Sequence, residues 1–229
     1  MENCNLARTH LFFDLDGTII NSFQGISNCV CYALQYLGIT VENKNDLLPF
    51  IGPPLTFSFK EYYHLNQEQI NIAVAKYRER YAVDGILENE LYPDIESALQ
   101  QMVNKGYKLY IATSKPQVFA GQILKYLHVY HYFTYVGGSD MAGRLQSKAD
   151  VINEVLSQNG ISANQVWMIG DRKYDVEGAH AVQVPCVGVL YGFGNRKELQ
   201  ECACDVIVET VNDLKNFFCK ELVSLKNGI

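Results

Sequence analysis

The feature that most constrains this chain is the alternation of short apolar runs with longer stretches that have apolar residues at helical spacing. Short apolar runs bounded by turn residues are typical of buried strands. Buried strands that alternate with helices indicate a parallel sheet with helices on both faces. We therefore predict an α/β fold with a doubly wound, mainly parallel sheet. The strand candidates are Leu11–Phe13, Leu109–Ala112, Tyr135–Gly137, Val166–Ile169, Cys186–Leu190 and Val206–Val208.

Three of the intervening stretches predict helices with recognisable ends. One covers Asp94–Lys105 and stops at Gly106. Another begins at Pro116, and a third follows Ser147 and stops before Gly160. Glycine at a helix end and serine at its start are common terminal signals.

The connection after the first strand is far longer than an ordinary crossover. Structureless loops of that length are uncommon in compact domains, and this stretch has helical patterns. Ser22 is placed to cap a helix that Gly38 ends, and Asn66 is placed to cap another. We predict a core domain of residues 1–20 and 89–229, with a helical insert of residues 21–88 as the second domain.

The composition limits the possible partners and compartments. Hydrophobic residues make up 48% of the 229 residues, which is enough for a sizeable core, and the net charge is −6. An acidic chain argues against binding to nucleic acid. The N-terminus has no apolar signal core, and no apolar run is long enough to span a membrane. The seven cysteines contain no CxxC motif, so we expect a reduced, cytoplasmic protein.

Polar residues follow several of the predicted strands or begin the helices after them. In open α/β sheets, ligands bind outside the carboxyl ends of the strands, so we expect these residues to meet at one edge. Alone, each has an ordinary explanation, such as a solvated turn or a helix cap; together they predict a site. They are Asp14, Asp16, Thr113, Ser114, Lys115, Lys148, Asp171 and Asp175.

Two neighbouring acids at a strand end repel each other unless something neutralises them. A divalent cation would remove that cost, and Mg²⁺ prefers oxygen ligands while leaving room for a phosphate. Asp14 and Asp171 are the natural carboxylate ligands. Gly17 follows Asp16 at once and permits a tight bend with close backbone approach.

Four motifs together resemble those of the haloacid dehalogenase superfamily, in matching order and spacing over nearly the whole chain. They are DLDGT (14–18), IATSK (111–115), SKADVI (147–152) and GDRKYD (170–175). The helical insert looks like the cap domain of the phosphoglycolate-phosphatase-like branch. Within that branch, FIGPPL (50–55) and YGFG (191–194) look like the group described as 5′-nucleotidases.

The resemblance implies a role for each acid in a two-step hydrolysis. Asp14 would attack phosphorus and form an aspartyl-phosphate. Asp16 would protonate the leaving oxygen and then activate water, while its backbone carbonyl would help to hold the metal. Asp171 would complete the Mg²⁺ site together with Asp14.

The resemblance also implies which groups recognise the substrate. Asp175 would orient the metal site or the lysine. Apart from the resemblance, the loop of residues 51–55 is expected to reach the site, where Gly52 allows close approach and Pro53 stiffens the chain, so that both would contribute to substrate specificity; the alternative is an ordinary turn. The groups that would hold the phosphate oxygens in the ground and transition states are Thr113, Ser114 and Lys148.

The expected function is that of a magnesium-dependent phosphomonoesterase acting on a small phosphorylated metabolite, such as phosphoglycolate or a nucleoside monophosphate. A sugar phosphomutase of the same superfamily is an alternative. A phospho-accepting receiver module is a further one, although a receiver has no use for a helical insert. The substrate, the oligomeric state, and the roles of Arg172 and of the CxC pairs stay open.

Overall fold

The computed structural model describes residues 8–140, 145 and 147–226, with side chains described as far as residue 218. The chain forms two compact units. One consists of Met1–Ile19 with Leu91–Ile229, and the other is Ile20–Glu90. The helical insert predicted at residues 21–88 falls within the second unit.

Six of the strands form one parallel sheet in the order β5-β4-β1-β6-β7-β8, and β2 pairs separately with β3. The predicted α/β fold and all six predicted strands are confirmed. The largest difference is β4, which continues four residues past Ala112 through an irregular stretch of pairing with β5. The strands are β1 (His10–Phe13), β2 (Ile20–Asn21), β3 (Glu90–Leu91), β4 (Lys108–Pro116), β5 (Phe133–Ser139), β6 (Val166–Gly170), β7 (Cys186–Val189) and β8 (Val206–Val208).

The helices of the described residues include those that the sequence predicted. The three helices expected in the core are found, as α4, α5 and α6. Asn66 forms the predicted cap of α3, with its side chain accepting from the Gln69 amide at 3.0 Å. The helices are α1 (Phe23–Tyr36), α2 (Leu55–Tyr63), α3 (Gln67–Arg80), α4 (Ile95–Asn104), α5 (Gln117–Tyr126), α6 (Lys148–Asn159), α7 (Lys173–Ala181), α8 (Arg196–Glu201) and α9 (Val211–Lys226).

The prediction that the Ser22 side chain caps a helix is wrong, although α1 does begin after this residue. Ser22 has φ −100° and ψ 7°, and its side chain makes no capping hydrogen bond. Capping needs an extended backbone that turns the side-chain oxygen toward the first free amides, and Ser22 does not adopt it.

The sheet is covered on both faces, which explains why its strands are continuous apolar runs. Phe12 belongs to a buried cluster with Val151 of α6 and Val176 of α7. Trp167 of β6 instead packs edge-to-face on Phe217 of α9, with ring centroids 5.6 Å apart. Successive side chains of a strand point to opposite faces, so helices on both sides are needed to bury them.

The unit Ile20–Glu90 has its own apolar core and a strong ion pair. Phe50 packs edge-to-face on Phe59 at 5.2 Å between ring centroids. Arg80 binds both carboxylate oxygens of Glu88 at 2.8 Å. Among the described residues of the chain, no helix is both long enough and apolar enough to cross a membrane.

We predict that Asn66→Ala loosens α3 because it removes the acceptor for the Gln69 amide. Loss of such a cap costs about 1 kcal/mol, so amide exchange in α3 should speed up about fivefold in hydrogen-exchange mass spectrometry. Asn66→Asp keeps an acceptor and should exchange like the original protein. Equal exchange rates in all three proteins would show that the cap does not stabilise α3.

Candidate active site

Three carboxylates meet at the carboxyl edge of the sheet. Asp14 follows β1, and its amide continues the strand pairing by donating to the Ile169 carbonyl at 2.8 Å. Asp171 follows β6, and Asp175 lies in the first turn of α7. One oxygen from each acid lies within 4.8 Å of the others, and all three residues are buried. We call Asp14, Asp171 and Asp175 the carboxylate cluster.

Lys148 reaches two members of this cluster from the start of α6. Its Nζ lies 2.9 Å from Asp14 Oδ1 and 2.8 Å from Asp175 Oδ1. The same ammonium donates to the Ala112 carbonyl at 3.2 Å. The structure therefore brings Lys148 to the same edge of the sheet as Asp14 and Asp175.

The surroundings of the cluster disfavour the charged form of one acid, Asp171. Burial and the charges of Asp175 and Asp14 raise the pKa of Asp171 well above its ordinary value, against a hydrogen bond from the Phe193 amide. Burial also raises the pKa of Asp175, to about 6, although Lys148 opposes this. Burial alone would lower the pKa of Lys148, but the charges of Asp14 and Asp175 outweigh it and raise that pKa.

The donor set of the cluster fits a divalent cation. Asp171 Oδ2 accepts from the Phe193 amide at 2.7 Å, whereas Asp171 Oδ1 is buried and has no hydrogen-bond partner among the described residues. A buried carboxylate oxygen without a donor is costly unless a cation satisfies it. Oxygen ligands of this kind suit Mg²⁺.

Asp175 has a different environment from Asp171, because both of its oxygens are engaged. Oδ1 contacts Lys148, and Oδ2 accepts from the Arg172 amide at 3.1 Å. These contacts are those expected of a residue that orients the lysine and the start of α7. Asp175 is therefore the member of the cluster with the least freedom to bind a cation.

The second acid of the DLDGT motif contacts a different lysine. Asp16 Oδ2 lies 3.1 Å from Lys115 Nζ, and both side chains are largely buried. The Lys115 amide donates to Thr113 Oγ1 at 3.3 Å. Sequence reasoning noted Lys115 at this strand end but gave it no role; its position in IATSK was the available signal.

Three other predicted residues are not members of the carboxylate cluster. Ser114 is exposed, between the buried Thr113 and Lys115. Gly52 and Pro53 belong to the unit Ile20–Glu90, where Gly52 adopts a left-handed backbone with φ +107°. The predicted roles of these three residues in phosphate binding and specificity stay predictions.

Close backbone approach holds the Asp171 side chain in place. Gly17 has φ +80°, and a Cβ at this position would collide with the Asp171 carboxylate. A Cβ on Gly192 would lie 2.5 Å from the Asp171 Cβ. Glycine at positions 17 and 192 lets the backbone approach this closely without displacing the Asp171 side chain.

The chain belongs to the family described as haloacid dehalogenase-like hydrolases, whose model matches residues 11–189. This confirms the family predicted from the four motifs, and it defines the protein as a hydrolase of that family.

The chain is similar to curated proteins with three different names. A 5′-nucleotidase of Pseudomonas aeruginosa is 38% identical over 200 residues, which are 87% of this chain and 90% of that protein. PtkA of Mycobacterium bovis, a tyrosine-protein kinase, is 29% identical over 207 residues, 90% of this chain and 70% of the kinase. A phosphoglycolate phosphatase of Aliivibrio fischeri is 28% identical over 205 residues, 85% and 89% of the two chains.

The fold also matches a solved structure. The crystal structure of a predicted phosphatase from Clostridium acetobutylicum superposes with a TM-score of 0.90 at 39% identity. The match covers 93% of this chain and 99% of the other. The likeness extends over both compact units.

We predict that Asp171→Asn stabilises the metal-free protein. A raised pKa means that the charged carboxylate destabilises the fold at neutral pH, and an amide removes that charge while keeping an acceptor for the Phe193 amide. The melting temperature in EDTA at pH 7.5 should rise by at least about 2 °C, given about 2–4 °C per kcal/mol for a protein of this size.

The pH dependence of this gain has a definite sign. A carboxyl whose pKa is raised in the folded state loses its penalty as the pH falls toward its ordinary value of 3.8, because both states then bind the proton. The gain should therefore shrink toward pH 4. A variant that melts below the original protein in EDTA at pH 7.5 would contradict the assignment of Asp171 as a destabilising charge.

Proposed function

We propose that this protein is a magnesium-dependent phosphomonoesterase that acts through an aspartyl-phosphate on Asp14. The observation that supports this most is the placement of the Asp14 carboxylate, which contacts the Lys148 ammonium and lies beside the unsatisfied Asp171. A carboxylate so placed can meet a phosphoryl group whose negative charge the lysine offsets.

The residues divide the chemistry between them. Asp14 attacks phosphorus, while Lys148 and Thr113 hold the non-bridging oxygens. Asp16 donates a proton to the leaving oxygen and then accepts one from the water that hydrolyses the intermediate. Asp175 keeps Lys148 in place through the contact described above.

The cation would be held by the carboxylates of Asp14 and Asp171 and by the backbone carbonyl of Asp16. When bound, Mg²⁺ supplies positive charge that offsets the repulsion between these acids and the phosphate. The assignment of Mg²⁺ rests on the oxygen ligands and on the family; the orphaned Asp171 Oδ1 supports a cation of this kind.

The substrate we propose is a small phosphate ester of the phosphoglycolate or nucleoside monophosphate type, because relatives with those names align over most of the chain. The competing function is that of a sugar phosphomutase. A panel of phosphoglycolate, nucleoside monophosphates and hexose 1-phosphates, assayed with Mg²⁺, separates them. Release of inorganic phosphate supports hydrolysis, whereas conversion of a hexose 1-phosphate to the 6-phosphate supports the mutase.

We predict that Asp14→Asn loses essentially all turnover of p-nitrophenyl phosphate while its circular dichroism is unchanged, because an amide cannot form the phosphoenzyme. Excess EDTA should stop the unmodified enzyme, and added Mg²⁺ should restore it. Substantial turnover by a folded Asp14→Asn variant would exclude Asp14 as the nucleophile, and full turnover in EDTA would exclude the metal.

We predict a different outcome for Asp16→Asn. General acid and base catalysis is worth about 10²–10⁴-fold, so hydrolysis of an alkyl phosphate should fall by that order. An aryl phosphate with a good leaving group needs no proton, so the variant should still form phosphoenzyme from it and then hydrolyse it slowly. Rapid-quench experiments with both esters measure the two steps.

The control for this experiment is the unmodified enzyme with the same two esters. If Asp16→Asn slows both substrates equally and accumulates no phosphoenzyme, then Asp16 acts mainly through metal binding rather than as the acid and base.

A further inference from the structure

Glu198 of α8 reaches back to the segment that connects Asp171 to α7. Its Oε1 accepts from Arg172 Nε at 2.9 Å and from the Lys173 amide at 2.9 Å. The Arg172 and Glu198 side chains are each 16% exposed. An ion pair that is largely shielded from water and reinforced by a backbone amide is stronger than an exposed surface pair.

The same segment is tied to the carboxylate cluster. The Arg172 amide donates to Asp175 Oδ2 at 3.1 Å. Glu198 thus holds both residues that follow Asp171, and one of them is bonded directly to Asp175. The segment therefore connects Glu198 to Asp171 through the backbone and to Asp175 through a hydrogen bond.

Glu198 is itself fixed by the start of its helix. Its amide donates to the Asn195 side chain at 3.0 Å. The preceding residue, Gly194, packs so closely on the Asp171 backbone carbonyl that a Cβ there would collide with it. The loop after β7, the start of α8 and the Asp171 segment therefore form one continuous set of contacts.

We propose that Glu198 is a positioning residue that, through Arg172 and the Lys173 amide, holds the Asp171 carboxylate in the orientation that binds a divalent cation. This rests on the proposed function, since it takes the carboxylate cluster as the metal site. It also gives a role to Arg172, one of the residues of GDRKYD that the catalytic steps do not use.

The expected loss of Mg²⁺ affinity depends on how directly Glu198 acts on Asp171. Groups bonded directly to metal ligands change affinity by about 10–100-fold when removed. Glu198 acts one residue further away, so Glu198→Ala should weaken Mg²⁺ binding by about 5-fold or more. Glu198→Gln keeps an acceptor oxygen without the charge and should fall between Ala and the original protein.

The test measures Mg²⁺ binding directly, by titration calorimetry and by the Mg²⁺-dependent rise in melting temperature, alongside kcat and KM. The matched control is Glu209→Ala. It removes an exposed ion pair, 2.8 Å long, between Glu209 and Arg196, which lies on α8 as Glu198 does. We expect weaker Mg²⁺ binding by the Glu198 variants only, with a substrate KM at saturating Mg²⁺ changed less than about twofold.

A double-mutant cycle tests whether Glu198 acts through Arg172. If it does, Glu198→Gln with Arg172→Met should bind Mg²⁺ about as well as the weaker single variant, because the two groups act as a unit. Additive losses would exclude action through Arg172.

The outcomes separate this proposal from the proposed function. Mg²⁺ affinity of both Glu198 variants equal to that of Glu209→Ala would overturn the positioning role and leave the phosphatase proposal intact. If Glu198→Ala does not fold, Glu198→Gln decides. If the original protein binds no Mg²⁺, the proposed function fails and the positioning role fails with it.

Discussion

The candidate active site concentrates buried carboxylates that the described side chains satisfy only in part. Lys148 contacts Asp14 and Asp175, but Asp171 has a buried oxygen with no hydrogen-bond donor among the described residues. A buried carboxylate oxygen without a hydrogen-bond donor costs stability. Under the proposed function, this unsatisfied oxygen is the feature that would give a divalent cation affinity for the site.

The sheet supplies the rigidity that this arrangement requires. β1 and β6 are neighbouring strands with helices on both faces, so Asp14 and Asp171 begin from two backbones that cannot separate easily. Gly17 and Gly192 then bring further backbone against the Asp171 side chain. A buried charge in a well-packed interior has few ways to relax. The apolar runs of the sequence thus form the rigid strands that hold the acids at their ends close together.

The sequence predicted more of the fold than of the contacts within the candidate site. The strands were predicted because apolar runs between turn signals depend on local sequence. The cap at Ser22 was wrong because the backbone angle that decides capping depends on tertiary contacts. The contact between Lys115 and Asp16, and that between Glu198 and Arg172, join residues far apart in sequence. Hydrophobic periodicity carries no information about contacts between residues so far apart. The sequence therefore predicted the strand ends but not these two ion pairs.

The DLDGT motif places two acids two residues apart, and the structure gives them separate lysines. Asp14 contacts Lys148 at 2.9 Å, whereas Asp16 contacts Lys115 at 3.1 Å. Lys148 also contacts Asp175 and donates to the Ala112 carbonyl of β4, so its ammonium holds the Asp14 carboxylate in one orientation. Under the proposed function, Asp14 would use that fixed geometry as the nucleophile, whereas Asp16 would transfer protons beside a different lysine. Two similar side chains can therefore perform different steps because the fold surrounds them differently.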